Sequence, residues 1–556
     1  MTPRSNPTRL ALGSAALVLA AVVAVSCSTA PPPLESGSGG DGQDADVADL
    51  VPVEPFELIT TTTADNPQRF EVGRLIAEAW SEAGIPVELA TYSPDEMTRR
   101  AFTSKEFDTY LIEYVMNVDR LDPNDFLSRF YSGNAGADGS NLSGYQDPEF
   151  DQLYEDQLAA ADDAERGELV DRAQAKLAAD VPIGLVLHPT NVGPYNARDW
   201  SDAVDAAEAP AYNLWSLLEM EPTGERRTLV VAVIAGATTL NPVAATDVGD
   251  KLPVSYLYDT LVRIGPDGGP QPWAAESVET DGATVRARLR EGMLFHDGTP
   301  VTAADVKFTF DYLVQHAAPA YAARLAQLES VQVDGDTVVF QLAEQSAAFE
   351  SVVLSTVPIL PRHVWEPITD PLGYDNAAPI GSGPFAFESF RRDSALRLTA
   401  NADHFRAPRA DGVVLAVYGN RDAMIGALET GDADLVSVPL TTSQAGRFDG
   451  SSSVGLIERP GYGWIGVHYN MRKPPFDDVA MRRALTLALP SQDIIDIVYE
   501  GSAQPAGSVI APSVRWGDPD VTPQPFDPDA ARAELEAAGY VFDGDTLYYP
   551  PGAGGR

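Results

Sequence analysis

A histidine and an aspartate stand side by side at His296-Asp297, and such a pair could bind a metal ion or transfer a proton. Gly298 follows them directly, and a helical pattern begins soon after, at Thr302. Because Asp-Gly is typical of a tight turn, we interpret the pair as a turn before a helix. The six histidines of the chain are scattered, without the HxxxH or HxxEH spacing of a zinc site. The sequence therefore predicts no metal and no cofactor.

The nucleophile motifs of secreted hydrolases are also missing. Gly381-Ser382-Gly383 is only part of a G-x-S-x-G motif, and no S-x-x-K occurs with its partner motifs. No Walker motif is present, and no GxGxxG sequence joins a predicted strand to a predicted helix as a phosphate cradle would. We therefore predict a protein that is not an enzyme and has no catalytic residues.

Cys27, the single cysteine, follows a short apolar run from Leu10 to Val25. Arg4 and Arg9 give this region its positive start, which is typical of a signal peptide, and the run is too short for a spanning helix. Ala24-Val25-Ser26-Cys27 is similar to a bacterial lipobox, with Ala24 in place of the usual Leu. We predict a lipid on the Cys27 thiol; the alternative is a plain secretory signal with an incidental cysteine.

Composition separates a tether from a globular body. Residues Ser28 to Pro55 are rich in Pro, Gly, Ser and Asp, which predicts a disordered tether. The whole chain has 44% hydrophobic and 21% charged residues, and its 556 residues are too many for one ordinary core. A formal charge of −43 argues against a nucleic-acid partner. Solvated surface also explains this acidity, so the charge says little about the ligand. We expect the protein to be a monomer.

Strand and helix patterns alternate from Phe56 onward, which predicts a mixed α/β fold without repeats. The helices carry start signals such as the capping-box pair Thr302 and Asp305. The clearest predicted elements are strands at Phe56–Thr62, Ile85–Leu89 and Thr284–Arg290, and helices after Pro67, Thr302 and Asp527.

Several separate stretches resemble the extracellular solute-binding proteins of family 5, which serve peptide and nickel ABC importers. They are Arg290–Val306 (REGMLFHDGTPVTAADV), Ile380–Phe385 (IGSGPF), Leu428–Leu435 (LETGDADL), Phe476–Leu485 (FDDVAMRRAL) and Phe526–Tyr540 (FDPDAARAELEAAGY). The resemblance covers Leu229 to Arg556 and, separately, Phe56 to about Trp215. It implies an α/β periplasmic-binding-protein fold of type II, with two lobes, a small added domain and a ligand cleft that closes by a hinge.

The order of these segments differs from the family. The pattern in Phe56 to Trp215 comes last in family members, so the chain resembles a circularly permuted member. Domain swapping between copies and a faulty fusion of gene fragments are the alternatives. Permutation predicts that a strand at Thr546 to Tyr549 lies antiparallel to one at Phe56 to Thr62, with the old ends joined across Glu221–Glu225.

The predicted segments follow from this order. They are 1–27 (lipoprotein signal peptide), 28–55 (tether), 56–180 (major part of the second lobe), 181–266 (return strand, joining linker at about 221–228 and start of the first lobe), 267–380 (small added domain), 381–489 (rest of the first lobe) and 490–556 (start of the second lobe).

The resemblance also implies site residues in Tyr114 to Phe126. Asp119 stands where peptide-binding members hold the carboxylate that pairs with the ligand's α-amino group; the alternative is a solvated loop aspartate paired with Arg120. Asp122 before Pro123 is a helix N-cap. The other predicted ligand contacts are Tyr114, Met116 (where the family usually has Trp), Asn117 and Trp464, with core packing as the alternative for Tyr114 and Trp464.

The function implied is that of a substrate-binding lipoprotein for an ABC importer. Its partners would be a peptide-like solute, the membrane permease and, through the Cys27 lipid, the outer face of the cell membrane. The stretch that matches the carboxylate-binding Arg of dipeptide binders, Thr60 to Pro67, contains no Arg, so a longer peptide, an amide or another cation is favoured over a free dipeptide. The alternatives are a surface receptor or sensor of the same fold and a binder of chelated nickel.

Overall fold

The computed structural model describes residues 50–137 and 139–553. The predicted signal peptide, Cys27 and residues 28–49 of the predicted tether lie outside these residues. Where the tether is described, it is packed: Val53 is 4% exposed and its N–H donates to Leu547 O at 2.7 Å. The prediction of disorder as far as Pro55 is therefore wrong at its end, because Val53 and Leu547 share one apolar core.

The strands run through the whole described chain. Numbered in chain order, they are β1 (Phe56–Thr61), β2 (Val87–Tyr92), β3 (Thr109–Tyr114), β4 (Ile183–Asn196), β5 (Trp200–Ser201), β6 (Glu221–Pro222), β7 (Thr228–Val233), β8 (Val262–Ile264), β9 (Pro270–Pro272), β10 (Ala275–Asp281), β11 (Thr284–Leu289), β12 (Leu328–Asp334), β13 (Thr337–Leu342), β14 (Phe385–Arg391), β15 (Ala395–Ala400), β16 (Gly412–Val417), β17 (Leu435–Val436), β18 (Val454–Pro460), β19 (Trp464–Tyr469), β20 (Ala503–Pro505), β21 (Val541–Asp543) and β22 (Thr546–Tyr548).

The helices alternate with these strands. They are α1 (Pro67–Glu82), α2 (Pro94–Thr98), α3 (Pro123–Leu127), α4 (Pro148–Leu158), α5 (Asp163–Asp180), α6 (Leu214–Glu219), α7 (Val248–Leu257), α8 (Ala303–Gln315), α9 (Arg362–Trp365), α10 (Arg421–Thr430), α11 (Thr442–Gly446), α12 (Val479–Leu487), α13 (Ser491–Val498) and α14 (Pro528–Ala537).

Most of the predicted local elements are confirmed. Asn66 caps α1 by accepting from the Arg69 N–H, and the capping box of Thr302 and Asp305 opens α8. The strand predicted at Ile85–Leu89 begins instead at Val87, since Ile85 belongs to the turn after α1 and its N–H donates to Trp80 O. His296, Asp297 and Gly298 form the predicted turn, in which Gly298 has φ +84°.

The strand β4 belongs to two sheets at once. Its first half, Ile183–Pro189, pairs antiparallel with β19 and β20, whereas its second half, Thr190–Asn196, pairs with β18. On the first side the sheet continues through β19 to β3, β1 and β2, and on the second through β17 to β7, β16, β15 and β14. A single strand therefore holds the two sheets together and sets their relative position.

The cores divide the chain into two lobes, which we define as a first lobe (190–460) and a second lobe (50–189 and 464–553). The main core of the first lobe includes Leu229 and Leu415 and extends to Phe340 on the small sheet β10-β11-β13-β12. The cores of the second lobe lie on both faces of its sheet, around Trp80 and around Phe126.

The return of the chain to the second lobe comes earlier than the sequence predicted. Ile465, Met481 and Leu485 pack in one core with Trp80, so residues 464–489 belong to the second lobe and the predicted boundary at 489/490 is wrong.

The crossing between β18 and β19 contains two close approaches. A Cβ on Gly461 would lie 2.3 Å from Pro189 O, and one on Gly463 would lie 2.2 Å from Tyr114 O. Glycine is required here because β4 and β3 pass so near.

The carboxyl-terminal strand packs beside the amino-terminal end of the described chain. β22 pairs antiparallel with β21, and Tyr548 forms an antiparallel bridge with Pro52. The predicted partner, the strand Phe56–Thr61, instead pairs parallel with β2 and β3. The expected pairing is thus wrong in its partner, since residues 51–53 rather than β1 lie against β22.

A buried ion pair anchors the loop between β3 and α3. Asp122 caps α3, as predicted, by accepting from the Asn124 N–H at 2.9 Å. The same carboxylate receives two bonds from Arg166 on α5, at 2.7 and 3.0 Å, and both side chains are almost fully buried. Loss of one partner would leave a buried charge unpaired, which is strongly destabilising.

We predict that Arg166→Met lowers the free energy of unfolding by about 3–5 kcal/mol, measured by urea denaturation. Arg172→Met is the matched control, because Arg172 is exposed on the same helix. Equal effects of the two substitutions would contradict the role given to the buried pair.

Candidate functional site

A cavity of about 670 Å³ lies between the two lobes. This volume falls within the range of small-molecule sites, roughly 300–1,000 Å³. The second lobe contributes residues 113–119 and 498–502, and the first lobe contributes residues 208–215, 245–264, 320–358 and 437–441 among others. The crossing strand β4 lies at its border through Pro189, Thr190 and Asn191. We call this cavity the cleft.

Four of the predicted site residues line the cleft, namely Tyr114, Met116, Asn117 and Asp119. They lie on the loop that leaves β3 at Tyr114 and enters a short 3₁₀ turn, Val118–Leu121. Trp464, predicted as a fifth, is fully buried outside the cleft lining. It lies opposite Tyr114 across β19 and β3, with ring centroids 4.5 Å apart, so it supports the cleft wall from the core.

Asn117 and Met116 shape this loop. The Asn117 side chain accepts from the Asp119 N–H at 3.2 Å and so caps the 3₁₀ turn. The Met116 sulfur receives the Asn191 amide at 3.3 Å, which connects the loop to β4. Both contacts fix the position of Asp119.

Asp119 is paired across the cleft. Its Oδ2 lies 2.5 Å from Arg324, a first-lobe residue that also lines the cleft, and each side chain is 21% exposed. The alternative pairing with Arg120 is wrong, because Arg120 lies nearest to Asp125, at 3.6 Å. Among the residues described, Asp119 Oδ1 has no hydrogen-bond partner, so one oxygen of this carboxylate is available to a ligand.

Glu208 is a second cleft carboxylate, contributed by the first lobe. In the described part of the chain its carboxylate has neither a hydrogen bond nor an ion pair. Arg263 is the cation that acts on it, but the Arg263 Nη2 already donates to Ser255 O and Tyr258 O at 2.7 and 2.8 Å. Burial raises the pKa of Glu208, and the charge of Arg263 only partly opposes this shift.

Tyrosines surround Glu208. The Tyr256 hydroxyl donates to the Tyr212 hydroxyl at 3.1 Å, and the Tyr462 hydroxyl donates to the backbone carbonyl of Glu208 at 3.3 Å. Burial raises the pKa of Tyr212 to about 12, and the negative charge of Glu208 acts in the same direction. The Tyr212 hydroxyl therefore stays protonated at neutral pH and, because it accepts from Tyr256, keeps its own proton for a ligand.

Glu113, near the end of β3, is a third carboxylate in the cleft lining without a hydrogen bond in the residues described. Desolvation raises its pKa, and the nearby positive charge of Arg69 offsets only part of that rise. The cleft also has cations in its lining, at Lys251, Arg263, Arg324 and Arg421. It can therefore hold a polar ligand with a positive group near the carboxylates.

Sequence reasoning missed Glu208, Arg263 and Arg324. Each of them is a single charged residue outside the five motif stretches quoted for the family resemblance. Glu208 lies in a loop before Pro210, where the local sequence gives no sign of burial. All three belong to the first lobe, and only the folding of that lobe brings them into the cleft lining.

No group of three or more His, Cys, Asp or Glu in residues 50–137 and 139–553 is arranged to hold a metal ion. Within the same residues, none of the helices has the length and apolar character needed to span a bilayer.

The family model of the bacterial extracellular solute-binding proteins, family 5 Middle, matches residues 269–552. With that match covering half of its length, the chain belongs to this family. The two-lobed, mixed α/β fold predicted from the sequence is confirmed.

Individual relatives match over part of their length. The oligopeptide-binding protein AppA of Bacillus subtilis is 29% identical over 325 residues, which cover 56% of this chain and 59% of the relative. The glutathione-binding protein GsiB of Escherichia coli K12 is 27% identical over 325 residues, covering 56% of this chain and 62% of GsiB. The chain thus spans less than two thirds of the length of these relatives.

Among solved structures, the ABC transporter substrate-binding protein CtaP of Listeria monocytogenes superposes with a TM-score of 0.50 at 26% identity. The superposition covers 58% of this chain and 66% of CtaP.

We predict that Glu208→Gln stabilises the ligand-free protein at neutral pH. The pKa of Glu208 is raised by folding, so the folded state favours the protonated acid, and this favourable contribution is lost as the pH rises from about 4.3 through the folded pKa. The variant should therefore unfold at higher urea than the wild type at pH 7.5, and the difference should vanish near pH 4.

Glu344→Gln, at an exposed glutamate outside the cleft, is the matched control and should show no such pH-dependent difference. A Glu208→Gln variant that is less stable than the wild type at pH 7.5 would contradict the assignment of Glu208 as an unpaired carboxylate.

Proposed function

We propose that this protein is the substrate-binding lipoprotein of an ABC importer and captures a peptide-like solute in the cleft. The observation that carries the proposal is that two cleft carboxylates, Asp119 and Glu208, come from different lobes and line one ligand-sized cavity. The printed functions of the relatives support it, since AppA is an oligopeptide-binding protein, GsiB a glutathione-binding protein and CtaP an ABC transporter substrate-binding protein.

A protonated amine is the ligand group that these carboxylates would recognise. Burial raises the pKa of Tyr462, and the negative charges of Glu208 and Asp119 act in the same direction, so both carboxylates act on this one side chain. Hydrogen bonds between an ammonium group and a carboxylate are stronger than neutral ones, and they gain strength in a closed cleft. Asn117 positions Asp119, and the rings of Tyr114, Tyr212 and Tyr256 would enclose the rest of the solute.

Closure of the cleft would use the two crossings of the chain between the lobes. Strand β4 passes without interruption at Pro189 and Thr190, and the second crossing runs over residues 461–463. The ion pair Asp119–Arg324 spans the cleft between the lobes. A ligand amine that shares Asp119 with Arg324 would favour the closed form, because it adds bonds that only closed lobes provide.

The closed form would dock on a membrane permease. A lipid on Cys27 would hold the protein, as a monomer, at the outer face of the cell membrane, and residues 28–49 would be the tether. The alternative is a receptor or sensor that uses the same cleft without transport. Neighbouring genes for a permease and an ATPase would favour transport over sensing.

We also propose that the chain is a circularly permuted member of its family. Support comes from the order of the resembling segments and from the contact between Tyr549 N–H and Val51 O at 2.9 Å, where the permutation would have opened the chain. The old ends would be joined near Glu221–Pro222, which pairs with Trp200–Ser201 at the surface of the first lobe.

The permutation predicts that the family order can be restored. A variant that begins at Glu225, continues from residue 553 through a short Gly-Ser linker into Leu50 and ends at Thr223 should fold with the wild-type circular dichroism spectrum and retain solute binding. A variant opened instead between Val467 and His468, in the buried strand β19, should fail to fold. Failure of the first variant would contradict the proposal.

The amine-recognition step predicts the behaviour of Asp119→Asn. Loss of one charge-assisted bond, worth about 1.5–3 kcal/mol, should weaken the binding of a peptide with a free amino terminus roughly 10–100-fold, measured by calorimetry. Native mass spectrometry of protein purified without denaturation would first identify a bound solute.

Asp95→Asn is the control, because Asp95 is an exposed aspartate outside the cleft. N-acetylation of the peptide should weaken binding to the wild type and have little further effect on Asp119→Asn. Equal affinities for the free and acetylated peptides would remove Asp119 from the ligand site.

A further inference from the structure

A second, smaller cavity of about 190 Å³ lies beside the cleft in the first lobe. It shares four lining residues with the cleft, namely Tyr212, Val248, Leu252 and Ser437. Since the same side chains border both spaces, a ligand in the cleft lies next to this cavity. We call it the side pocket.

The walls of the side pocket are almost entirely apolar. They come from the end of β7 and the following loop, from the first turns of α7, and from β14, β15 and β16. The apolar lining residues are Val233, Ile234, Ala235, Ala237, Val248, Leu252, Pro253, Phe390, Ala395, Leu396, Leu415 and Val417. Arg391 is the one charged residue in this lining, and it is exposed.

Two of the wall residues leave apolar surface open to water. Ile234 is 39% exposed and Val248 is 58% exposed, although both line a concave space. Apolar surface in water is unfavourable, and an apolar group that covers it gains roughly 25 cal/mol per Å². The exposed walls are therefore suited to contact with an apolar group.

The size of the side pocket sets the size of that group. An apolar protein cavity of about 150 Å³ accommodates benzene, so 190 Å³ is enough for a phenyl ring or a branched aliphatic side chain. A charged side chain would lose its hydration there, because the walls offer few polar partners.

We propose that the side pocket is a specificity subsite that takes one aromatic or branched aliphatic side chain of the captured solute. This inference rests on the proposed function, since the solute must first occupy the cleft. Burial of such a side chain should raise affinity roughly 10–100-fold over alanine at the same ligand position.

Gly249 offers a way to close the side pocket without disturbing the fold. It lines the pocket in the first turn of α7, and a Cβ built there meets no atom within 4 Å. Replacement of a helical glycine relieves its entropic cost, so Gly249→Phe should fold and place a ring in the pocket. Gly249→Ala is the size control, and Gly426→Phe is the position control, because Gly426 lies in α10 with equally open space around its Cβ.

The first measurement uses tetra-alanine and its single Phe, Leu and Asp substitutions, titrated by calorimetry. We expect one ligand position at which Phe and Leu bind the wild type 10–100-fold better than Ala, and Asp binds worse. Gly249→Phe should abolish this preference while tetra-alanine keeps its affinity within about threefold, and both controls should retain the preference. Persistence of the preference in Gly249→Phe would overturn the subsite.

The second measurement tests the side pocket without any peptide. Fluorobenzene, observed by ¹⁹F NMR, should bind the wild type and Gly426→Phe but not Gly249→Phe. If no peptide binds the wild type while fluorobenzene shows this pattern, the proposed ligand class fails and the subsite stands. If peptides bind but fluorobenzene ignores the Gly249→Phe substitution, the subsite fails and the proposed function stands.

Discussion

The continuity of β4 through both sheets is the constraint on which the rest of the molecule depends. One strand cannot shift its register in one lobe without moving the hydrogen bonds of the other, because β19 and β18 pair with its two halves. The cleft forms where the strand passes from one sheet to the next, at Pro189 and Thr190. The second crossing runs through Gly461 and Gly463, where side chains would collide with the backbones of β4 and β3. The two lobes are thus joined by a narrow, ordered connection of the kind that permits hinge motion.

Some residues of the cleft at this connection destabilise the protein when no ligand is bound. Asp119 is stabilised by Arg324, but Glu208 lies in the cavity without a hydrogen bond in the described residues, and burial raises its pKa. Charges that are desolvated without a partner cost free energy, which a ligand of opposite charge can recover. Val248 and Ile234 in the side pocket likewise expose apolar surface to water, which costs free energy that an apolar ligand group can recover. Both features would be relieved by a ligand that fills the cleft and the side pocket.

The sequence predicted the loop that carries Asp119 but not the environment of that residue. Asp122-Pro123 predicts a helix start independently of its surroundings, because the capping hydrogen bonds are local. The helix α3 does begin there. The Asp119 partner is Arg324, a residue far along the chain, and not the sequence neighbour Arg120. The sequence also leaves open whether Trp464 lies in the cleft or in the core, because its strand has apolar residues on both faces. In the structure its ring packs against Tyr114 inside the core. Local signals identified positions, and packing decided their partners.

The sequence by itself determined the family, the alternation of strands and helices, and the starts of α1, α3, α8 and α14, because caps, turns and hydrophobic periodicity act over a few residues. Only the tertiary structure decided that residues 464–489 belong to the second lobe, that residues 51–53 lie against β22, and that Glu208 faces the same cavity as Asp119. These facts depend on contacts between residues distant in the chain. Their energies come from burial and electrostatics, which no short stretch of sequence contains.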